Sequence, residues 1–195
     1  MPSKRPEYLP DQYYHFYNRG AHRVSVFREQ DNYLFVLRKM KAYCRSLRLA
    51  LIAYCLLPNH YHWLVRQDGE EPAGRLPQRV FNSYGKAYNK RYDHSGTLFE
   101  GSYRVKVIER PAYLLHLCRY IHANPVIHGL VDDVAGWPYS NYPEWIGERE
   151  GTLVDHQFVR DHFPEAEGYR AFVAEFIAHR QMPEALADYV RDWQG

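Results

Sequence analysis

His60 and His62 stand two residues apart in the apolar run Leu56-Leu57-Pro58-Asn59-His60-Tyr61-His62-Trp63-Leu64-Val65. In a strand, residues so spaced share one face. The two imidazoles therefore point one way, with Tyr61 and Trp63 turned the other. Paired imidazoles on a stiff strand make half of a metal site. The other half is predicted on a helix ending at Asn124. There Tyr120 and Asn124 are i and i+4, on one face a turn apart, with His116 a turn earlier. A carboxamide oxygen suits a hard divalent ion such as Mg2+ or Mn2+. His60, His62 and Asn124 would then form a three-ligand set with positions open for substrate oxygens.

That set points to phosphodiester chemistry. A divalent ion polarises the phosphate and spreads its developing charge. The Tyr120 phenol attacks phosphorus and forms a covalent intermediate. A phenol titrates near pH ~10, so it needs a metal or base to act. The products are a 5′-phosphotyrosine and a free 3′-hydroxyl. Because the linkage is conserved, the step can be reversed onto another strand. Taken alone, each residue also has an ordinary reading. A His-x-His pair in an apolar strand is more often structural than metal-binding, and a helical tyrosine usually packs in a core. Tyr88, in the stripe Phe81, Tyr84, Tyr88, Tyr92, is the rival nucleophile.

Several elements must position these residues. Tyr13 to Asn18 is a short aromatic strand, broken at Arg19-Gly20. Asp31 is the expected N-cap of a helix to Leu47, with Leu34, Leu37, Met40 and Cys44 at helical spacing. Leu49 to Leu57 and His60 to Gln67 read as strands joined through Pro58-Asn59, a bulge or tight turn. Residues 68–77 read as a loop and Gln78 to Tyr92 as a helix. Leu98 to Glu109 alternates as a half-buried strand. Pro111 suits the first turn of the next helix, and Pro125 is expected to stop it near Ala123. The aromatic, Pro-rich stretch 136–147 reads as a docked wrap. Beyond Gly151, Tyr169, Phe172, Val173 and Phe176 lie at helical spacing. This order fits an α+β sandwich of antiparallel sheet and helices.

The 195 residues suit one well-buried domain with an appendage. Three cysteines without paired spacing argue against a disulfide framework or a cysteine zinc site. No run approaches the length of a membrane span and no signal peptide is visible, so the expected location is cytoplasmic, with no membrane partner. The net charge of +2 conceals an asymmetry. Residues 1–143 carry 20 Lys/Arg against 12 Asp/Glu, whereas residues 144–195 carry 5 against 11. A basic body implies a polyanionic partner. The candidate phosphate contacts are Arg19, Arg79, Lys86, Lys90, Arg91, Arg104 and Lys106. Residues 75–106 hold seven of the basic residues against two acids.

Five stretches then carry a resemblance. They are Tyr14-His15-Phe16-Tyr17-Asn18-Arg19-Gly20, Leu57-Pro58-Asn59-His60-Tyr61-His62, Gly96-Thr97-Leu98-Phe99-Glu100-Gly101, Tyr120-Ile121-His122-Ala123-Asn124-Pro125 and Trp137-Pro138-Tyr139-Ser140-Asn141-Tyr142. In this order they resemble the single-tyrosine HUH transposases, specifically the REP-associated, insertion-sequence-200-like group, over residues 10–147. The resemblance implies a ferredoxin-like core and a single-stranded or hairpin DNA substrate. It also implies His60 and His62 as the HUH pair, Tyr120 as nucleophile and Asn124 as third ligand. Ser102 stands where such proteins often carry a basic residue. The expected division is a catalytic domain over 1–147 and an acidic, mainly helical extension over 148–195, which lies outside the resemblance. A monomer and a homodimer both remain open. So do two functions: a metal-dependent DNA nickase and strand transferase, and a non-catalytic module for hairpin or single-stranded nucleic acid. A metal-free phosphoesterase with two His-x-Thr/Ser motifs is disfavoured, because only one histidine pair is present and it is His-x-His.

Overall fold

The computed structural model describes residues 6–184 and 187. Residues 1–5 of the expected N-terminal arm, and 185, 186 and 188–195 of the expected extension, lie outside the described residues. Strands β1 (Tyr13–Arg19), β2 (Leu49–Leu57), β3 (His60–Gln67) and β4 (Arg104–Val107) form one antiparallel sheet in the order β2-β3-β1-β4. With α1 (Gln30–Leu47) after β1 and α2 (Arg75–Tyr92) after β3, this is the ferredoxin-like arrangement the resemblance implies. The fold class expected from the sequence is the one observed.

Period-two alternation divides the sheet between two cores. Tyr14, Phe16, Tyr61, Trp63 and Val65 face α1 and α2, where Phe81 stacks on Trp63 with ring centroids 5.0 Å apart. Ala53, Cys55, Leu57 and Leu64 face the other way, against α3 (Pro111–Ile127) and α6 (Ala166–His179). A short α4 (Tyr142–Trp145) and α5 (His156–His162) complete that second layer. Arg119 fastens α6 to α3: its guanidinium lies over the Phe172 ring at 4.2 Å and donates to the Gln181 carbonyl at 2.8 Å.

Four boundaries differ from the expectation. Helix α1 begins at Gln30 because Glu29, not Asp31, is its N-cap, in a reciprocal capping box with Asn32. Helix α2 begins at Arg75, with Pro77 in the first turn, where a missing N–H breaks no bond. Strand β4 is only four residues long. Gly101, at φ +80°, ends any extended run before it, and Leu98 and Phe99 are buried outside the strand. Helix α3 runs through Pro125 to Ile127. Its stop is a Schellman motif: Gly129, at φ +65°, donates to the Val126 carbonyl at 3.1 Å and Leu130 to that of Pro125 at 2.8 Å.

The wrap over 136–147 is docked, as expected, and it covers the sheet edge. β2 is an outer strand, and its exposed backbone would otherwise be an open template. Leu56 N–H donates to the Tyr139 carbonyl at 2.9 Å, and the Trp137 indole donates to the Leu56 carbonyl at 3.0 Å. Between Leu51 and Ala53 the ladder shifts register. The shift lets Leu51 and Tyr54 serve one core while Ile52 and Ala53 serve the other. Asn141 repairs the broken ladder: its Nδ2 donates to the Ile52 carbonyl at 2.9 Å and its Oδ1 accepts from Tyr54 N–H at 2.7 Å. The same Oδ1 accepts from His122 Nε2 at 2.9 Å, so His122 Nδ1 must accept from the Tyr169 hydroxyl at 2.6 Å. This buried chain ties β2, the wrap, α3 and α6 together. Asn141→Ala strands several of these groups at once and should lower the unfolding free energy by about 3 kcal/mol. Urea denaturation measures this, and a change within ~0.5 kcal/mol would show that the network is dispensable.

Candidate active site

Strand β3 presents His60 and His62 on the α3 side of the sheet, 5.2 Å apart between ring centroids and near perpendicular. The antiparallel register sets Tyr17 opposite His62 and Arg19 opposite His60. It also sets Arg104 opposite Tyr17 and Lys106 opposite His15. One face of the sheet therefore carries Lys106 and Arg104 on β4, then His15, Tyr17 and Arg19 on β1, then the histidine pair.

Helix α3 brings Tyr120 to this face, and Asn124 follows one turn later on the same helix. The Tyr120 ring lies 6.0 Å from the His62 ring, edge-on, and 6.1 Å from Phe176 of α6. Tyr120 is only 1% exposed, so its phenol is covered by α6 as well as faced by the histidines. Asn124 is wholly buried. Pro125 has no N–H, so the carbonyl of Ile121 loses its usual helical partner. The Asn124 Nδ2 donates to the Tyr120 carbonyl at 2.7 Å and lies at the limit of a hydrogen bond, 3.5 Å, from the orphaned carbonyl of Ile121. Its Oδ1 is buried with no hydrogen-bond donor. An acceptor left so costs about 1–3 kcal/mol unless something else meets it.

The histidines are held neutral. Burial lowers His60 to about 3, helped by His128 and Arg19 nearby. Burial also holds His62 well below the usual imidazole range, with His15, His60 and His128 adding to the effect. Neutral imidazoles keep a lone pair for a cation. His60 Nδ1 lies 2.6 Å from Asn59 Oδ1, an acceptor, so that nitrogen carries the proton and Nε2 the lone pair. Among the described residues no group of three or more His, Cys, Asp or Glu is arranged to hold a metal ion. Two neutral imidazoles with an unmet amide oxygen are nevertheless a donor set that a hard or borderline divalent ion accepts.

The other sequence candidates divide. Arg104 and Lys106 are exposed on the site face of the sheet. Arg19 shares that face and forms an ion pair with Glu100 at 3.1 Å. Arg79, Lys86, Lys90 and Arg91 belong to α2, on the opposite layer, and Arg91 is paired with Glu29 at 2.8 Å and Asp31 at 3.2 Å. Tyr88 is in that far layer too, donating to the Ser25 carbonyl at 3.1 Å. His116 lines a cleft of about 370 Å3 between α3 and α6 with Arg119 and Phe172, away from the histidine pair.

Two site residues escaped sequence reasoning. His15 is fully buried, with Nε2 3.1 Å from His62 Nδ1, and burial lowers it to about 3. His128 caps α3, with its ring 4.9 Å from His60. The signals existed: His15 alternates with Tyr13 and Tyr17, and His128 is four residues beyond Asn124.

A ferredoxin-like sheet with a histidine pair facing a tyrosine-bearing helix defines the class. The comparisons agree: residues 9–124 match the family described as IS200-like transposase, and this chain belongs to that family. A curated REP-associated tyrosine transposase of Haemophilus influenzae is 28% identical over 113 residues, 52% of this chain. The match spans 64% of that relative's length. A solved REP-associated tyrosine transposase, bound to a REP hairpin, superposes with a TM-score of 0.65 at 18% identity. That match covers 80% of this chain and 94% of the other, and it confirms the fold.

Asn124→Asp tests the amide's role in the helix. It replaces a donor by an acceptor beside two carbonyls and should cost about 1–3 kcal/mol in metal-free buffer. An unchanged urea midpoint would mean that the Asn124 amide does not sustain the turn at Pro125.

Proposed function

We propose that this chain nicks single-stranded DNA beside a hairpin and transfers the strand through a 5′-phosphotyrosine on Tyr120. The observation that carries the reading is the edge-on approach of the Tyr120 ring to His62, one helical turn from the unmet Asn124 oxygen. The phenol oxygen bonds to phosphorus and loses its proton. The bond from phosphorus to the 3′-oxygen breaks, and that oxygen leaves as a hydroxyl. Attack by another 3′-hydroxyl reverses both steps and restores the phenol. His60, His62 and Asn124 would hold Mg2+ or Mn2+, which when bound supplies charge neutralisation at the phosphodiester. Arg104 and Lys106 would bind flanking phosphates on the same face, and Arg19 a further one on release from Glu100. Arg79, Lys86, Lys90 and Arg91 would contact only DNA that reaches round to the α2 layer.

Family membership supports DNA transposition or the processing of repeated palindromes, and the hairpin in the solved relative supports a hairpin substrate. Residues 1–147 are proposed as the catalytic unit. In the acidic extension, Phe176 covers Tyr120, so DNA reaches the phenol only when the α3–α6 contact opens. The burial of Tyr120 is also what favours the second reading, a hairpin-binding module without catalysis.

The two readings separate in one experiment. The full chain is incubated with hairpins flanking its gene and Mn2+, then resolved on a denaturing gel. Nicking predicts a covalent protein–DNA adduct that chelation or Tyr120→Phe abolishes while hairpin binding persists. Binding without an adduct leaves the module. A titration against salt addresses the cations. Arg104→Ala and Lys106→Ala should each reduce the log–log salt slope by about 1, whereas Arg91→Ala, already paired with two acids, should change it little.

A further inference from the structure

We infer that His15 is a positioning residue for the histidine pair: its Nε2 accepts a hydrogen bond from Nδ1–H of His62 and so fixes the tautomer in which His62 Nε2 carries the lone pair. This rests on the metal-site reading of His60, His62 and Asn124.

The geometry is specific. His15 is 0% exposed on β1, one step along the face from Tyr17, which pairs with His62. Its ring meets that of His62 edge to edge, with centroids 5.2 Å apart and an interplanar angle of 26°, and its centroid lies 5.1 Å from that of Tyr17. The N···N separation of 3.1 Å is a hydrogen bond, which needs one donor and one acceptor. If His15 donated, the lone pair of His62 would be spent on that bond and Nε2 would hold the proton. His62 could then ligate nothing. Ligation therefore requires His15 to accept.

His60 shows the same logic with a different partner. Asn59 Oδ1 can only accept, so His60 Nδ1 donates and Nε2 is left as the ligand nitrogen. Both imidazoles are thus held at Nδ1, one by an amide and one by a third imidazole. Ligating histidines are commonly oriented in this way, and loss of the outer partner typically weakens metal binding about 10–100-fold. An ordinary buried core histidine would need only a satisfied ring. Its replacement would not move a metal affinity while sparing the fold.

The test uses the full chain. Long-range 1H–15N NMR of the wild type should show His62 protonated at Nδ1, and protonation at Nε2 overturns the assignment. Mn2+ binding is read from the EPR signal of the unbound ion for wild type, His15→Phe and His15→Gln. The phenylalanine keeps the ring and removes the acceptor; the glutamine supplies an amide oxygen in its place. His15→Phe should bind Mn2+ about 10–100-fold more weakly, with wild-type hairpin affinity, and His15→Gln should recover most of the loss. Equal affinity in His15→Phe and wild type overturns the inference, as does equal loss in both variants. Should His15→Phe not fold, the wild-type tautomer and His15→Gln decide. A wild-type chain that binds no Mn2+ overturns the metal-site reading itself, and this assignment with it.

Discussion

A proline inside α3 imposes the constraint on which the site depends. Pro125 cannot donate a backbone hydrogen bond, yet the helix continues past it to Ile127. The Asn124 amide only reaches the orphaned Ile121 carbonyl, at 3.5 Å, and gives its short bond to the carbonyl of Tyr120, at 2.7 Å. That bond ties the two residues of interest to each other. It fixes the rotamer of Asn124, spends its nitrogen, and leaves its oxygen buried without a donor. A leucine there would leave the Ile121 carbonyl exposed to the gap, and an aspartate would set acceptor against acceptor. The sequence Asn-Pro near the end of α3 thus leaves a buried amide oxygen with no donor.

The sheet keeps its two faces chemically distinct. Tyr61 and Trp63 bury their rings against α2 while His60 and His62, on the same strand, face α3. One residue of slip would exchange the sets. Register is therefore guarded on both sides of β3. β1 pairs along its full length, and the bulge in β2 absorbs a residue without passing the shift to the histidines. Asn141 and His122 seal that bulge from the edge. His122 lies two residues from both Tyr120 and Asn124, so the network that closes the sheet edge also sets the depth of α3.

Much of this was legible in the sequence, because the informative patterns are local. Period two over 60–63 and the i, i+4 spacing of Tyr120 and Asn124 depend only on backbone geometry, and both faces are as expected. Pro125 misled because the bias before proline is also local, whereas the stop is set further on, by the left-handed Gly129. Phe81, Tyr84 and Tyr88 were readable as a packed stripe, but not the layer to which α2 would carry Lys86 and Lys90. That depends on the crossover from β3. His15 and His128 carried only local spacing as a signal, because each becomes a site residue only through pairing or docking across more than 40 residues of chain. The extent of β4 failed on one dihedral, the positive φ of Gly101.

Layering also dictates the direction of approach to the site. Helix α3 packs on β2 and touches β3, and the wrap closes the β2 edge. Among the described residues, His15 on β1 is fully buried and the exposed end of the site face is β4. There Arg104 and Lys106 are exposed, and Arg19 lies across from His60 with Glu100 as its partner. A polyanion entering from β4 meets cations first and neutral imidazoles last, so attraction would act over distance and coordination only on contact. The Arg19–Glu100 pair stands between the two zones. It is partly exposed and bidentate, with Arg19 Nε and Nη2 donating to the two Glu100 oxygens at 3.2 and 3.1 Å. A phosphate that displaced Glu100 would have to replace both bonds, and the planar fork that holds a carboxylate is equally suited to phosphate oxygens.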